Sequence, residues 1–347
     1  MSRKNRQVVR YLHTDDDVRL AWAEAGSGPP LVKAANWLTH LEYDWESPVW
    51  KHWMTFFSDH FRFIRFDERG CGMSGGENAD LSPARWADDL ESVIDAAAVK
   101  EPMTLLGISQ GAASCVMYAI RHPERVARLI LYGAYARGLM HRNNPDAKIE
   151  YRAVTDLARV GWGKDNPAFR SVFTSRFIPE GSEEQLRWFN ELCRKTTSGP
   201  TAARLLEARA QVDVSNLLDQ VRAPTLVIHG RRDGVVPVDE GRRLASNIAG
   251  AEFVELESRN HVLLEDEPAW ARFCEEVLRF AGVESTAGDE PFATLSPRQR
   301  EILALLMEGL GNAAIADRIG ISEKTVRNQL SSLFDKLGVW TRSQAIV

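Results

Sequence analysis

Cysteine is scarce in this 347-residue sequence: Cys71, Cys115, Cys193 and Cys274 stand far apart, with no CxxC pair and no Cys/His cluster at metal-ligand spacing. That excludes a disulfide-stapled scaffold and a zinc module, leaves reduced structural thiols, and implies neither metal nor cofactor. Long apolar runs are missing too. No stretch reaches the roughly eighteen residues of a membrane span, and the basic opening MSRKNRQVVR is followed by no apolar segment, so a secretory signal is not supported. A cytoplasmic protein with no membrane partner is expected. Positive charge is also not in surplus, since the formal net charge is −5, which argues against a protein that coats nucleic acid. The deficit is uneven, however. Residues 295–347 hold seven basic and five acidic side chains, a local charge of +2 that leaves −7 for the rest. Any affinity for DNA is therefore expected at the C-terminal end.

What is present fits a globular chain of two domains, with 44% hydrophobic and 26% charged residues. From Val18 to about Gly282, short β-branched runs alternate with helical patterns, the signature of a mostly parallel sheet covered by helices. Strands are expected at Val18–Ala23, Leu31–Ala35, Phe61–Phe66, Met103–Ile108, Val126–Tyr132, Thr225–Ile228 and Phe253–Leu256. Between Ala134 and Gln220 the alternation stops. That segment is helical in pattern and rich in charge and aromatics, and reads as an insertion over the sheet. The small, polar, acidic stretch GVESTAGDEP at 282–291 has the composition of a flexible linker. The expected division is residues 1–284, a linker at 285–292, and a second domain at 293–347.

The segment MTLLGISQG at 103–111 is an apolar strand, then Gly-Ile-Ser-Gln-Gly, then the helical run AASCVMYAIRH. Gly-x-Ser-x-Gly by itself fits any Gly/Ser turn. Between a strand and a helix it meets the needs of a nucleophile elbow, in which glycines close a strained turn and lift Ser109 above the sheet. Later, HGRRD at 229–233 follows one expected strand and ESRNH at 257–261 follows another, so Asp233 and His261 come after Ser109 in the order serine, acid, histidine. In that arrangement His261 takes the Ser109 proton, and Asp233 fixes the imidazole tautomer and stabilises the imidazolium.

On these residues, positions 18–282 resemble the α/β-hydrolase superfamily. Supporting marks are Pro29-Pro30 before the third strand, DERGCGMS at 67–74 after the fourth, and HGRRDGVVP ahead of the acid. The insertion then corresponds to the helical cap of such enzymes. The runs NWLTHLEYDW at 36–45 and WGKDNPAFR at 162–170 are similar to a bacterial hydrolase branch often fused to regulatory modules. The resemblance implies an oxyanion hole formed by the backbone N–H groups of Trp37 and Gln110. Where these enzymes usually have His-Gly after the third strand, this chain has Ala35-Asn36. The tryptophans concentrated at 37–53, with Trp162 and Trp188 of the cap, suggest an aromatic-lined pocket, and Asn36, Trp37, Trp45 and Trp162 are its candidate lining.

The C-terminal segment opens LSPRQREILALLMEGL, with Ser296 as cap, Pro297 at the first helical position, and Ile302, Leu303, Leu306 and Leu310 on one face. A short helix at 312–319, the turn Gly320-Ile321 and a helix capped by Ser322 follow. Val326, Leu330, Leu333 and Leu337 of that last helix repeat at inward spacing. Residues 295–347 resemble the LuxR-type DNA-binding module, through GLGNAAIADRIGISEKTVRNQLSSLFDKLGV and the closing RSQAIV. By that resemblance the last helix enters the major groove of double-stranded DNA with Lys324, Thr325, Arg327, Asn328 and Ser331 facing it. Ala313-Ala314 and Gln329 depart from the common pattern at positions near phosphates.

Three readings stay open on these residues. One is a regulator that binds a small, apolar or aromatic ligand and pairs as a homodimer on DNA. The second is a working serine esterase or lactonase with an attached DNA-binding module, and the third is a hydrolase fold serving only as a dimerisation scaffold. The triad speaks against the third, because a scaffold places no demand on Ser109, Asp233 and His261 together.

Overall fold

The computed structural model describes residues 7–283, 295–337 and 339, with only the backbone at 297, 335 and 336. The linker expected at 285–292 and the closing RSQAIV lie outside the described residues. The chain divides into two compact units, Met1–Val283 and Glu284–Val347.

The first unit is built on an eight-stranded sheet in the order β1-β2-β4-β3-β5-β6-β7-β8. These strands are Val8–His13, Arg19–Ala25, Pro30–Lys33, Arg62–Phe66, Met103–Ile108, Val126–Tyr132, Thr225–Gly230 and Glu252–Leu256, numbered in chain order. β1 and β2 pair antiparallel, as do β2 and β4, and the remaining pairings are parallel. The central strands β5 and β7 are buried along their whole length. That follows from continuous apolar runs with both faces covered. The first strand was not expected. VVRYLH sits at the sheet edge, with Val8 and Tyr11 exposed, so only partial burial marks it as a strand.

Five helices cover the sheet: α1 (Lys51–His60), α2 (Pro83–Ala96), α3 (Gly111–Arg121) and, after the insertion, α8 (Val238–Asn247) and α9 (Pro268–Ala281). Between β6 and β7 the insertion supplies α4 (Pro145–Gly161), α5 (Ala168–Phe177), α6 (Glu183–Thr196) and α7 (Gly199–Ala210). Three of these four start at a side-chain cap: Asn144 accepts from Ala147 N–H, Ser182 forms a capping box with Gln185, and Ser198 accepts from Thr201 N–H. The Tyr151 hydroxyl donates to Leu206 O at 2.9 Å and ties α4 to α7.

The second unit holds α10 (Pro297–Met307), α11 (Asn312–Ile319) and α12 (Glu323–Leu337). Ser296 and Gln299 form a capping box at the start of α10, and Gly320 closes α11 with φ of 66°. Leu295, Ile302, Leu306, Ile315, Val326 and Leu333 make its core. Gln299 donates to the Ser332 hydroxyl at 3.3 Å, and Arg298 donates to Ile319 O, so α10 is fastened to both helices that follow it. Among the described residues no helix is long and apolar enough to cross a membrane.

Candidate active site and nucleic-acid interface

Ser109, Asp233 and His261 follow the C-terminal ends of β5, β7 and β8, the edge at which open parallel sheets place ligands. Ser109 has φ of 54°, a region that side chains avoid unless the surroundings impose it. The turn is held by Ser109 N–H donating to Tyr132 O at 2.9 Å. It also requires Gly107, where a Cβ would lie 2.8 Å from Ala112 Cα. The β5–α3 reversal is too tight for any side chain at that point.

His261 Nδ1 lies 2.6 Å from Asp233 Oδ2, both groups being buried. The other carboxylate oxygen of Asp233 accepts from Val235 N–H at 2.7 Å and Val236 N–H at 3.0 Å. Burial alone would raise the Asp233 pKa, but His261 and these donors hold it below the usual carboxylate range. With Nδ1–H donated to that carboxylate, Nε2 presents its lone pair, and it has no hydrogen-bond partner among the described residues. No hydrogen bond joins the Ser109 hydroxyl to it.

Several residues that hold this arrangement were not expected. Gly133, at φ of 54° just after β6, leaves room for the imidazole: a Cβ there would stand 3.0 Å from His261 Cε1. Glu267 gathers the histidine loop, accepting from the Ser258 hydroxyl at 2.6 Å and Leu264 N–H at 2.6 Å. His52 Nε2–H and Trp53 Nε1–H both donate to Leu263 O, at 2.9 and 3.0 Å. From the cap, Phe177 O at the end of α5 accepts from His261 N–H at 2.8 Å, and the Phe177 ring meets the imidazole edge-on at 5.2 Å.

A cavity of about 200 Å³ opens beside the serine turn, lined by Trp37, Gln110 and Arg209 and by cap residues that include Tyr135, Tyr151 and Phe173. Of the four pocket candidates Trp37 lines this cavity, and Asn36, Trp45 and Trp162 do not. Trp162 lies behind Trp37, stacked on it at 5.0 Å. The carbonyl of the Asn36 side chain is taken by the buried Lys33 ammonium. Trp45 packs, half-buried, on the hydrophobic core. Trp50 and Trp53 are buried on and beside α1, and Trp53 packs on Tyr132, Trp270 and Phe273. Of this cluster, Trp53 supports the sheet and the histidine loop, and Trp37 lines the cavity.

Of the two expected oxyanion donors, Trp37 N–H is already engaged. With its amide oriented to suit its neighbours, Gln110 Oε1 accepts from Trp37 N–H at 2.7 Å and from Arg209 Nε–H at 3.2 Å. Arg209, on α7, is paired with Glu68 and lies 4.9 Å from the Trp37 ring centroid. The three charged residues of the Asp-Glu-Arg run separate their tasks: Asp67 accepts from Leu41 N–H and Met73 N–H, Glu68 meets Arg209, and Arg69 is clamped by Asp16 and Asp89. Neither Glu68 nor Arg209 was singled out from the sequence. The available signal was a cation on the apolar stripe Leu205, Leu206, Arg209 of an amphipathic helix.

In the second unit Lys324, Thr325, Arg327, Asn328 and Ser331 are all exposed on α12, opposite buried Val326, Leu330 and Leu333. Thr325 N–H donates to Ser322 Oγ at 3.1 Å, so this residue shares in the cap. Arg327 reaches Glu323 at 3.2 Å in an exposed pair that a phosphate or a base edge can replace at small cost.

A family model described as alpha/beta hydrolase fold matches residues 45–268, and one described as bacterial regulatory proteins, luxR family, matches residues 293–347. The AB hydrolase superfamily protein YisY of Bacillus subtilis is 26% identical over 254 residues, covering 72% of this chain and 91% of that protein. Pyrrolizixenacetamide deacetylase of Xenorhabdus hominickii is 26% identical over 245 residues, covering 69% of this chain and 87% of that protein. Among solved structures, an esterase from Exiguobacterium antarcticum superposes with a TM-score of 0.66 at 24% identity, over 79% of this chain and 100% of the other.

Proposed function

Because the chain belongs to the α/β-hydrolase-fold family and ends in a module of the luxR family of bacterial regulatory proteins, we propose that it is a ligand-responsive transcription regulator of the cytoplasm. The hydrolase-fold unit binds a small apolar or aromatic molecule in the cavity beside the serine turn, which Gln110 and Asp233 line. The C-terminal module binds duplex DNA as a homodimer, with α12 in the major groove, at half-sites about one helical turn apart. The observation that carries this reading is the coexistence in one chain of a largely apolar cavity and a helix that exposes five polar residues on one face.

A hydrolytic reading is favoured by one contact, the 2.6 Å pair of His261 and Asp233 beside a serine held at positive φ. Against rapid turnover stands the Gln110 carbonyl on Trp37 N–H, since loss of one oxyanion donor costs about 10²–10³ in rate. We therefore assign binding as the primary role and slow ester or lactone hydrolysis as a secondary one.

The test is a titration of labelled duplex DNA at fixed salt, with and without a compound shown to fill the cavity by protecting Ser109 from a fluorophosphonate. The expected change in DNA affinity is about 5–150-fold, and DNA should change affinity for the compound by the same factor. Equal DNA affinity at saturating compound would remove the regulator reading.

A further inference from the structure

Arg209 is buried at 5% exposure in the wall of the cavity, yet its hydrogen-bonding capacity is only partly used. Nη2 pairs with Glu68, Nε donates to the Gln110 side chain and the group lies over the Trp37 and Trp86 rings, while Nη1 has no hydrogen-bond partner among the described residues. An unsatisfied buried guanidinium nitrogen is costly, so its retention needs a reason. Arg142 and Arg176 line the same cavity. Asp233 is the one acidic lining residue, and its oxygens are already committed to His261, Val235 N–H and Val236 N–H. The remaining walls are largely apolar, among them Leu139, Val154, Phe173 and Leu206.

The position of Gln110 Oε1 adds a second, independent pointer. It is an oxygen-acceptor position defined by a main-chain N–H and a guanidinium N–H, and a neutral amide carbonyl now fills it. A carboxylate oxygen there would make the Trp37 N–H bond charge-assisted, about twice as strong as a neutral one, and would turn the Arg209 bond into a full ion pair.

We infer that the cavity is built for a carboxylic acid with an apolar or aromatic body, whose carboxylate displaces Gln110 Oε1 from Trp37 N–H and Arg209 and is held by the Arg209 guanidinium. This deepens the reading of the cavity as a ligand pocket and rests on it. Gln110 is the internal competitor that keeps the donors satisfied when the acid is absent. Glu68 orients the guanidinium through Nη2 and leaves the rest of it for the ligand.

The experiment is calorimetric titration of the full chain with 3-phenylpropionate and with its neutral isostere 3-phenylpropanamide, at one pH and salt. The parent should prefer the carboxylate by about tenfold or more, as charged hydrogen bonds do over neutral ones. Gln110→Ala should tighten the carboxylate several-fold and the amide by a smaller factor, a gain that misfolding cannot produce. The pair Arg209→Met with Glu68→Gln, which leaves no lone buried charge, should bring the two probes level. Failure of 3-phenylpropionate to bind, equal binding of both probes by the parent, survival of the preference in the double variant, or no gain in Gln110→Ala would each overturn the inference. None of these measurements involves DNA. A carboxylate preference without an effect on DNA leaves the subsite standing and removes the coupling, whereas coupling without the preference does the reverse.

Discussion

The two units of this chain organise their polar residues in opposite ways. In the first, Ser109, Asp233 and His261 follow the ends of three strands far apart in sequence and have buried side chains, so the candidate catalytic groups are also part of the packing. In the second, the candidate DNA-contacting residues come from two turns of one helix, exposed on the face opposite its apolar stripe. Function and stability therefore share atoms in the hydrolase-fold unit and are separable in the helical one. A buried, bonded imidazole answers to its whole surroundings, while an exposed arginine answers mainly to what approaches it.

The largest effect that tests this contrast is chemical. Ser109→Ala should lower the rate of fluorophosphonate labelling by about 10⁴ or more, as loss of a nucleophile does elsewhere. Intact-mass kinetics on both proteins measure it, and equal labelling would place the nucleophile at another residue. Next comes a pH effect on stability confined to the first unit. Burial holds the His52 imidazole down to about 4 from its ordinary 6.5. The unfolded chain thus takes up a proton that the folded chain refuses until about pH 4. The corresponding stability is complete above pH 6.5 and is lost as pH falls through that window, by up to about 3 kcal/mol. Urea unfolding of His52→Gln, followed from pH 7 to 5, should give a shallower loss than the parent, and parallel slopes would discard His52 as the cause. The smallest expected effect is in the second unit. Arg327→Ala should change its stability by no more than about 0.5 kcal/mol, the scale of an exposed ion pair, while costing about 1–3 kcal/mol of DNA binding at one base position. Thermal melts beside anisotropy titrations decide it. A melting loss as large as that of Leu330→Ala would show that the two faces of α12 are not independent.

The same contrast governs what could be read from the sequence. In α10 to α12, caps, the apolar stripe and the glycine turn are all local signals, and Ser296, Gly320 and Ser322 stand where such signals put them. In the hydrolase-fold unit the buried strands announced themselves as apolar runs, and the edge strand β1, half-exposed and carrying Arg10 and His13, did not. The order of Ser109, Asp233 and His261 was legible because each follows a strand. The cavity wall was not, since membership depends on how α4, α5 and α7 settle over the sheet. Hence Trp45, Trp162 and Asn36 stood level with Trp37 as candidates though they do not line this cavity, and Arg209, which does, looked like one more charged residue on a cap helix. Gly133 was missed for a related reason, as only the approach of His261 from β8 gives it a task.

The main-chain bond from His261 N–H to Phe177 O has a consequence for timing. Phe177 is the last residue of α5, and its carbonyl also receives Val262 N–H at 3.3 Å, so the tip of that helix and the loop that holds the imidazole form one mechanical piece. A displacement of α5 large enough to admit a bulky guest must either break those bonds or drag the histidine away from Asp233. Where α5 moves with those bonds intact, the imidazole moves with it at the same moment.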